Sequence, residues 1–261
     1  MTAWLFLGAA VAVMVPALLF YLLQHRIVFS PRYYPRRSIF LEFAARYKVE
    51  QIRMSDGTLL EGMRYEPEEG AIATVLYFGG REQDSVALIG KLSFHYPQVR
   101  FISYNYRGYG TSEGKPGHAT LYPDALEVYD AVHERFGDVG VLGYSLGTSA
   151  AARVGAKRMP RWVAMVSPFT SVQRLFKERL KVVPSFLVRG KFDTLASVAE
   201  MVCPLFLYAS RDDEVVPLSH FQTLKAAARN LGEAKEFSGY NHASLLFSEP
   251  VEEELAKVFR R

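Results

Sequence analysis

Short apolar runs alternate with amphipathic segments from about residue 47 to the end of the chain. Apolar runs of four to eight residues, rich in β-branched and aromatic types, predict strands, and apolar residues spaced three and four apart predict helices. The predicted strands are Tyr47–Met54, Leu59–Tyr65, Ala73–Phe78, Val99–Tyr104, 139–143, Trp162–Ser167, Pro204–Ser210 and Ala234–Phe237. The predicted helices are Asp84–His95, Thr120–Phe136, 146–158, Leu218–Asn230 and Pro250–Phe259. Strands that alternate with helices predict a mostly parallel sheet covered by helices on both faces.

An uncharged apolar segment precedes this pattern. Residues Ala3–Leu23 contain no charged side chain, and a helix of that length spans roughly 31 Å, enough to cross a bilayer. A cleaved signal peptide is the alternative, but the segment lacks a basic start and a small-residue cleavage site. Arg26, Arg32, Arg36 and Arg37 follow the segment, so the positive-inside rule predicts a single-pass anchor with the C-terminal part in the cytoplasm.

The pattern therefore predicts three parts. They are a transmembrane anchor over 1–25, a basic linker over 26–45 and an α/β domain over 46–261. Within the domain, residues 169–201 break the alternation of strands and helices and mix basic with apolar residues, which is typical of a short helical cap insert.

A sharp turn joins the strand at 139–143 to the small-residue helix that follows it. The turn reads Gly143-Tyr144-Ser145-Leu146-Gly147, and Gly-x-Ser-x-Gly between a strand and a helix is the pattern of a nucleophile elbow. Such a turn strains the serine backbone and lifts its hydroxyl clear of the sheet, while the helix N-terminus offers N–H groups to a developing oxyanion. The alternative interpretation is a glycine-rich turn that matches the motif by chance, and the flanking strand and helix disfavour it.

A serine hydroxyl needs a base, and the base needs an orienting carboxylate. His242 follows Ser145 in the chain and lies in a loop just past the last predicted strand. Of the other histidines, His220 lies just inside a predicted helix and is expected to be solvated. Asp212 and Asp213 both follow an apolar strand, and the pattern alone does not choose between them.

Taken together, these segments resemble the α/β-hydrolase fold serine hydrolases, and most of all their membrane-anchored esterase and thioesterase branch, which includes acyl-protein depalmitoylases. The segments that carry the resemblance are Val75-Leu76-Tyr77-Phe78-Gly79-Gly80, Asn105-Tyr106-Arg107-Gly108-Tyr109-Gly110, Gly143-Tyr144-Ser145-Leu146-Gly147, Ser167-Pro168-Phe169-Thr170-Ser171, Asp213-Glu214-Val215-Val216-Pro217 and Gly239-Tyr240-Asn241-His242. The resemblance implies the α/β-hydrolase fold and selects Asp213 as the acid, four residues before Pro217. The family's usual His-Gly-Asn at the first oxyanion loop is replaced here by Gly79-Gly80-Arg81.

An oxyanion hole needs only backbone N–H groups, so this departure leaves the hole intact. The backbone N–H groups of Arg81 and Leu146 are expected to form it. The Arg81 side chain has no counterpart in the family pattern, and Glu82 or Asp84 would be its nearest ion-pair partners.

Composition adds limits on partners. The net charge is +4, but the arginines cluster near the N-terminus without basic and aromatic residues interleaved elsewhere, which favours a membrane surface over nucleic acid. A single cysteine, Cys203, excludes an intramolecular disulfide, and its apolar surroundings predict core packing.

The sequence therefore predicts a membrane-anchored serine hydrolase of carboxylic esters or thioesters that uses Ser145, His242 and Asp213. No metal or organic cofactor is implied. A serine peptidase on the same fold and a non-catalytic binding module are the alternatives. The apolar residues of the cap predict a slot for an acyl chain, against an ordinary cap that only completes the core.

Overall fold

The computed structural model describes residues 2–31, 44–179, 188, 190 and 192–261. Within these ranges the strands are β1 (Tyr47–Arg53), β2 (Leu59–Tyr65), β3 (Ala73–Phe78), β4 (Val99–Tyr104), β5 (Val139–Tyr144), β6 (Val163–Val166), β7 (Leu205–Ser210) and β8 (Leu231–Phe237). The helices are α1 (Thr2–Val28), α2 (Ser85–His95), α3 (His118–Phe136), α4 (Leu146–Lys157), α5 (Val172–Arg179), α6 (Thr194–Glu200), α7 (Leu218–Ala227) and α8 (Glu249–Phe259).

All eight strands of the described ranges form one sheet in the order β1-β2-β4-β3-β5-β6-β7-β8. The β1–β2 and β2–β4 pairs are antiparallel, and every pair from β4–β3 to β7–β8 is parallel. The antiparallel β1–β2 pair follows from the turn at Asp56-Gly57, where Gly57 has a φ of +86° that favours glycine. This is the mostly parallel sheet that the alternation predicts. The carboxyl ends of the parallel strands lie at one edge, where the loops of an open α/β sheet form its binding crevice.

Helices cover both faces of the sheet, as expected. On one face, α2 and α8 pack Ile89, Leu92 and Val251 against Tyr77 and Phe206, all of them buried. On the other face, α3, α4, α6 and α7 pack against the alternate side chains of the same strands. Every residue of the central strand β5 is buried, as is usual for a parallel strand between two helical layers. Cys203 also lies in this core, and burial raises the pKa of its thiol to about 11.

The N-terminal helix differs from the expected membrane anchor. Across the described residues, no helix combines the length and the apolarity that crossing a membrane requires. The described structure therefore does not support the transmembrane segment predicted over Ala3–Leu23. The C-terminal end of α1 packs against the domain, where Phe20 contacts the Phe176 ring edge-on at 5.6 Å between centroids. Val28 and Phe29 are buried in the core, past the expected boundary at residue 25. Residues 32–43 of the predicted linker lie outside the described residues.

Candidate active site

Ser145 occupies the tight turn between β5 and α4. Its φ of +50° and ψ of −116° place a non-glycine residue in a region that L-amino acids rarely adopt. The surrounding bonds hold it there: the Ser145 N–H donates to the Val166 carbonyl at 3.0 Å, and the Ser145 carbonyl accepts from the Thr148 N–H and Oγ1 at 2.9 and 2.6 Å. The backbone of the turn is thus strained and held by hydrogen bonds on both sides, as a nucleophile elbow requires.

The two glycines that flank the turn are required by close approach. A Cβ added at Gly147 would lie 2.0 Å from the Phe78 carbonyl oxygen, and one added at Gly143 would lie 2.6 Å from the Gly147 carbonyl oxygen. Both values are far below van der Waals contact, and the nearest atoms belong to the backbone, which cannot move aside. The sequence motif therefore reports a real steric constraint between β3, β5 and α4.

The structure brings the predicted serine, histidine and Asp213 together. His242 Nε2 lies 2.9 Å from Ser145 Oγ, and His242 Nδ1 lies 2.7 Å from Asp213 Oδ2. The His242 loop is held by Tyr144, whose hydroxyl donates to the His242 carbonyl at 2.7 Å, and by the Glu214 carboxylate, which accepts the His242 N–H at 3.0 Å. A hydroxyl, an imidazole and a carboxylate in this order can pass the hydroxyl proton to the imidazole and stabilise the resulting charge.

Only one of the two adjacent aspartates faces the histidine. The Asp213 side chain is 2% exposed, and its Oδ1 accepts the N–H groups of Val215 and Val216 at 2.8 and 2.7 Å. Burial raises the pKa of this carboxyl, but the hydrogen bond to His242 and the two backbone donors outweigh it and hold the pKa below its ordinary value. Asp212 instead accepts the Gly239 N–H at 2.6 Å and lies at the base of the next loop.

The two backbone groups expected to form an oxyanion hole both line the same cavity as Ser145 and His242. Leu146 is the first residue of α4, so its N–H is one of those that an α-helix leaves without an intrahelical acceptor. On the other loop, the Gly80 N–H donates to Gln83 Oε1 at 2.7 Å, whereas the Arg81 N–H has no acceptor among the described residues. These two N–H groups are therefore available to a ligand oxygen.

The cavity above Ser145 has a volume of about 660 Å³. Its walls are largely apolar: α5 contributes Val172, Leu175 and Phe176, and the end of α1 contributes Ile27 and Val28. Charged side chains stand among them, namely Arg81, Glu82, Arg179 and Glu214. Sequence reasoning missed the contribution of α1, although the apolar run Ile27-Val28-Phe29 past Leu23 was a signal for it. Of the predicted slot residues, Leu180, Val182, Val183, Phe186 and Leu187 lie outside the described residues.

His220 corrects a second expectation, because it is fully buried rather than solvated. Its Nδ1 accepts the Thr170 N–H at 3.0 Å, so its proton lies on Nε2, which faces Glu178 Oε2 at 3.1 Å. Burial lowers the pKa of His220; the neighbouring Arg174 and Arg179 act in the same direction, and Glu178 acts against them. A neutral histidine thus joins α7 to α5 behind the cavity wall.

Acid should destabilise the protein through this histidine. Because the native pKa of His220 lies below the unfolded value of about 6.5, the unfolded chain binds the additional proton first as the pH falls. The free energy of unfolding is therefore fully present above pH 6.5 and declines below it, toward the lowered native pKa. Denaturant unfolding at pH 7.5 and 5.0 should show a smaller loss for His220→Gln than for the wild type. The exposed His133 gives the control, and an equal loss in His220→Gln and His133→Gln would contradict the assignment.

Comparisons with known proteins agree with this architecture. A scan against protein-family models finds no match. The human alpha/beta hydrolase domain-containing protein 17B is 28% identical over 178 residues, which cover 64% of this chain and 59% of that protein. The lysophosphatidylserine lipase ABHD12 of Xenopus tropicalis is 31% identical over 159 residues, covering 51% of this chain and 41% of the lipase. The matches thus span less than two thirds of these relatives' own length.

Solved structures show the fold over nearly the whole chain. The esterase Pf2001 of Pyrococcus furiosus superposes with a TM-score of 0.71 at 18% identity, covering 90% of this chain and 98% of the esterase. Similarity at that level of identity speaks for the fold alone. The sheet order, the strained serine between β5 and α4 and these matches lead to one conclusion: the chain is an α/β-hydrolase-fold protein, similar in sequence to alpha/beta hydrolase domain proteins and to a lipase.

Proposed function

We propose that the protein is a serine hydrolase of carboxylic esters or thioesters with an apolar acyl group. The observation that carries the proposal is the hydrogen-bond chain from Ser145 Oγ through His242 to the buried Asp213 carboxylate, at 2.9 and 2.7 Å. This hydrogen-bond chain opens onto a largely apolar cavity lined by Arg81 and Leu146, whose backbone N–H groups have no acceptor among the described residues. Relatives and structural neighbours named as a lipase and an esterase support the same reaction class.

In this mechanism Ser145 Oγ attacks the acyl carbonyl carbon while His242 Nε2 takes its proton. The carbonyl oxygen becomes an oxyanion that accepts hydrogen bonds from the N–H groups of Arg81 and Leu146. His242 then gives the proton to the leaving alcohol or thiol, which departs and leaves an acyl group on Ser145. Water, deprotonated by His242, attacks the acyl-enzyme and releases the acid. Asp213 keeps the imidazole proton on Nδ1 throughout, so that Nε2 is free to act as the base.

Two measurements test the class of reaction. A fluorophosphonate probe should label the wild-type protein and not Ser145→Ala, whereas a non-catalytic binding module would show no labelling. A panel of p-nitrophenyl esters, acyl thioesters and aminoacyl amides should then show turnover of the esters or thioesters. Turnover of the amides alone would establish the peptidase instead and overturn the proposal.

The apolar walls predict how activity depends on acyl length. Each CH₂ that enters the cavity contributes up to about 0.8 kcal/mol to binding, so kcat/KM should be several-fold higher for C8 than for C2 esters. Leu175 lines the cavity from α5, and Leu175→Ser should lower kcat/KM for the C8 ester about tenfold while changing the C2 value less than twofold.

Lys177 provides the matched control, because it is exposed on the same helix. Lys177→Ser introduces a serine into α5, as Leu175→Ser does, but leaves the cavity wall unchanged. Hydrolysis of both the C2 and the C8 ester should keep its wild-type kcat/KM. A flat or falling profile from C2 to C8 in the wild type would refute the slot and leave α5 as a structural cap.

A further inference from the structure

The C-terminal end of α1 is bonded directly to the loop that carries the proposed oxyanion donor Arg81. The Arg81 guanidinium donates from Nη1 to the Ile27 carbonyl oxygen at 2.5 Å. In the other direction, the Ser30 N–H donates to the Arg81 carbonyl oxygen at 3.2 Å. The intervening Val28 and Phe29 are buried in the domain core, so the helix end that makes these bonds is fixed. Arg81 is therefore attached to the N-terminal segment through both its side chain and its backbone.

A tyrosine hydroxyl completes the connection. Tyr109 is fully buried, and its hydroxyl donates to the Arg81 carbonyl oxygen at 2.6 Å while accepting the Ser30 N–H at 3.1 Å. A neighbouring tyrosine acts on the same loop, because the Tyr106 hydroxyl donates to the Gly79 carbonyl oxygen at 2.8 Å. Two buried hydroxyl groups thus hold two carbonyl groups of the 79–83 loop.

The bond to Ile27 suits the chemistry of both partners. The last four carbonyl groups of an α-helix have no intrahelical donor, and the helix dipole favours a positive charge near them. Ile27 is the penultimate residue of α1, and the Arg81 guanidinium supplies both the donor and the charge. The same guanidinium also forms a solvent-exposed ion pair with Glu82.

We propose that Ile27, Ser30, Arg81 and Tyr109 form a clasp that sets the position of the Arg81 N–H, so that the end of α1 is a working part of the oxyanion hole. Arg81 and Tyr109 are positioning residues in this account. The inference rests on the proposed serine hydrolase function, and it assigns a role to an arginine side chain that has no counterpart in the family pattern.

The expected consequence is confined to the chemical step. Loss of one oxyanion-hole donor lowers kcat by about 10² to 10³, and a donor that is displaced rather than removed should cost less. In Arg81→Ala the backbone N–H remains but the bond to Ile27 is lost. We expect its kcat to fall about tenfold, with a change in KM of less than twofold. Arg81→Lys, which keeps one donor and the charge, should recover part of the loss.

Three readouts separate positioning from general stability. A trifluoromethyl ketone inhibitor forms a hemiketal oxyanion with the serine, so its Ki should rise by the same factor by which kcat/KM falls. Hydrogen exchange should become faster in both 27–31 and 79–83 in Arg81→Ala. Tyr109→Phe, which deletes the hydroxyl that reaches the Arg81 carbonyl, should lower kcat by a similar factor.

Arg158 gives a matched arginine control, because its guanidinium bonds Asp130 at 2.6 and 2.7 Å at the far end of α4. Arg158→Ala should keep kcat within twofold of the wild type. The clasp is overturned if both Arg81→Ala and Tyr109→Phe keep wild-type kcat, or if exchange in 79–83 is unchanged in Arg81→Ala. If the wild type hydrolyses no ester or thioester, the proposed function fails, and the exchange experiment still decides whether the clasp exists.

Discussion

Replacing Ser145 with alanine should lower kcat for an ester substrate by about 10⁶, the largest effect expected of any single change. The substitution removes the hydroxyl that lies 2.9 Å from His242 Nε2 and keeps the Cβ and the strained backbone of the turn. The cavity and the two N–H groups proposed for the oxyanion hole remain, so a residual activity above the uncatalysed rate should persist. Steady-state hydrolysis of a p-nitrophenyl ester gives both values.

A second serine controls for nonspecific effects of the substitution. Ser55 lies in the β1–β2 turn, where its hydroxyl donates to Glu127 Oε1 at 2.8 Å. Ser55→Ala should retain kcat within twofold and unfold at a similar temperature to Ser145→Ala. Wild-type kcat in a folded Ser145→Ala protein would remove the whole mechanism.

Asp213→Asn should lower kcat by about 10⁴, and Asp212→Asn by less than tenfold. The Asp213 Oδ1 atom accepts two backbone N–H groups, so an asparagine would keep its carbonyl oxygen there and turn its amide NH₂ toward His242 Nδ1. The imidazole would then hold its proton on Nε2, where it could not accept one from Ser145. Asp212 accepts only the Gly239 N–H in the described structure, and an asparagine oxygen can do the same.

The adjacent pair makes the comparison internally controlled, because both variants change one carboxylate to an amide in the same loop. Measurements of kcat at equal protein stability distinguish the two positions. A severe loss in Asp212→Asn with a mild one in Asp213→Asn would transfer the acid to Asp212 and contradict the geometry of the His242 contact.

Most of the domain fold could be predicted because strands buried on both faces leave a strong hydrophobic pattern. The predicted strand Leu59–Tyr65 and the predicted strand Ala73–Phe78 match β2 and β3 residue for residue. The predicted strand at 234–237 was too short: β8 begins at Leu231, because its first residues pair with β7 through the backbone while Gly232 and Glu233 give no apolar signal. Main-chain pairing at a sheet edge is not encoded in side-chain hydrophobicity.

The N-terminal helix has a strong apolar signal, but the signal does not show what the helix contacts. Its apolar composition predicts a lipid-spanning segment but does not reveal that Phe20 and Val28, near its C-terminal end, pack against the protein. Composition alone does not identify the surface that an apolar helix contacts. The environment of His220 was also hidden, because the partners that bury it, Thr170 and Glu178, lie 50 and 42 residues away in the chain.

The residues of the candidate site could be predicted from the sequence more readily than the contacts that surround them. The spacing of Gly143 and Gly147 around Ser145 follows from a local steric requirement, so the motif could be recognised without a structure. The choice between Asp212 and Asp213 depends on which carboxylate faces a loop about 29 residues further along the chain. The clasp at Arg81 depends on contacts with Ser30 and Ile27, which lie 51 and 54 residues away in the chain, and no short sequence motif predicts such contacts.

The central claim is that the Ser145 hydroxyl accepts the acyl group of the substrate, and peptide mass spectrometry of the His242→Ala variant tests it most directly. This variant lacks the base for both steps, but p-nitrophenolate departs without being protonated, so acylation of Ser145 should be slowed less than the attack of water on the acyl-enzyme. The acyl group should therefore accumulate on the protein. We predict the acyl mass on the peptide that contains Ser145, and its absence from the Ser145→Ala/His242→Ala double variant. An acyl group found on another side chain, or ester hydrolysis at the wild-type rate without any acylated Ser145, would contradict the account.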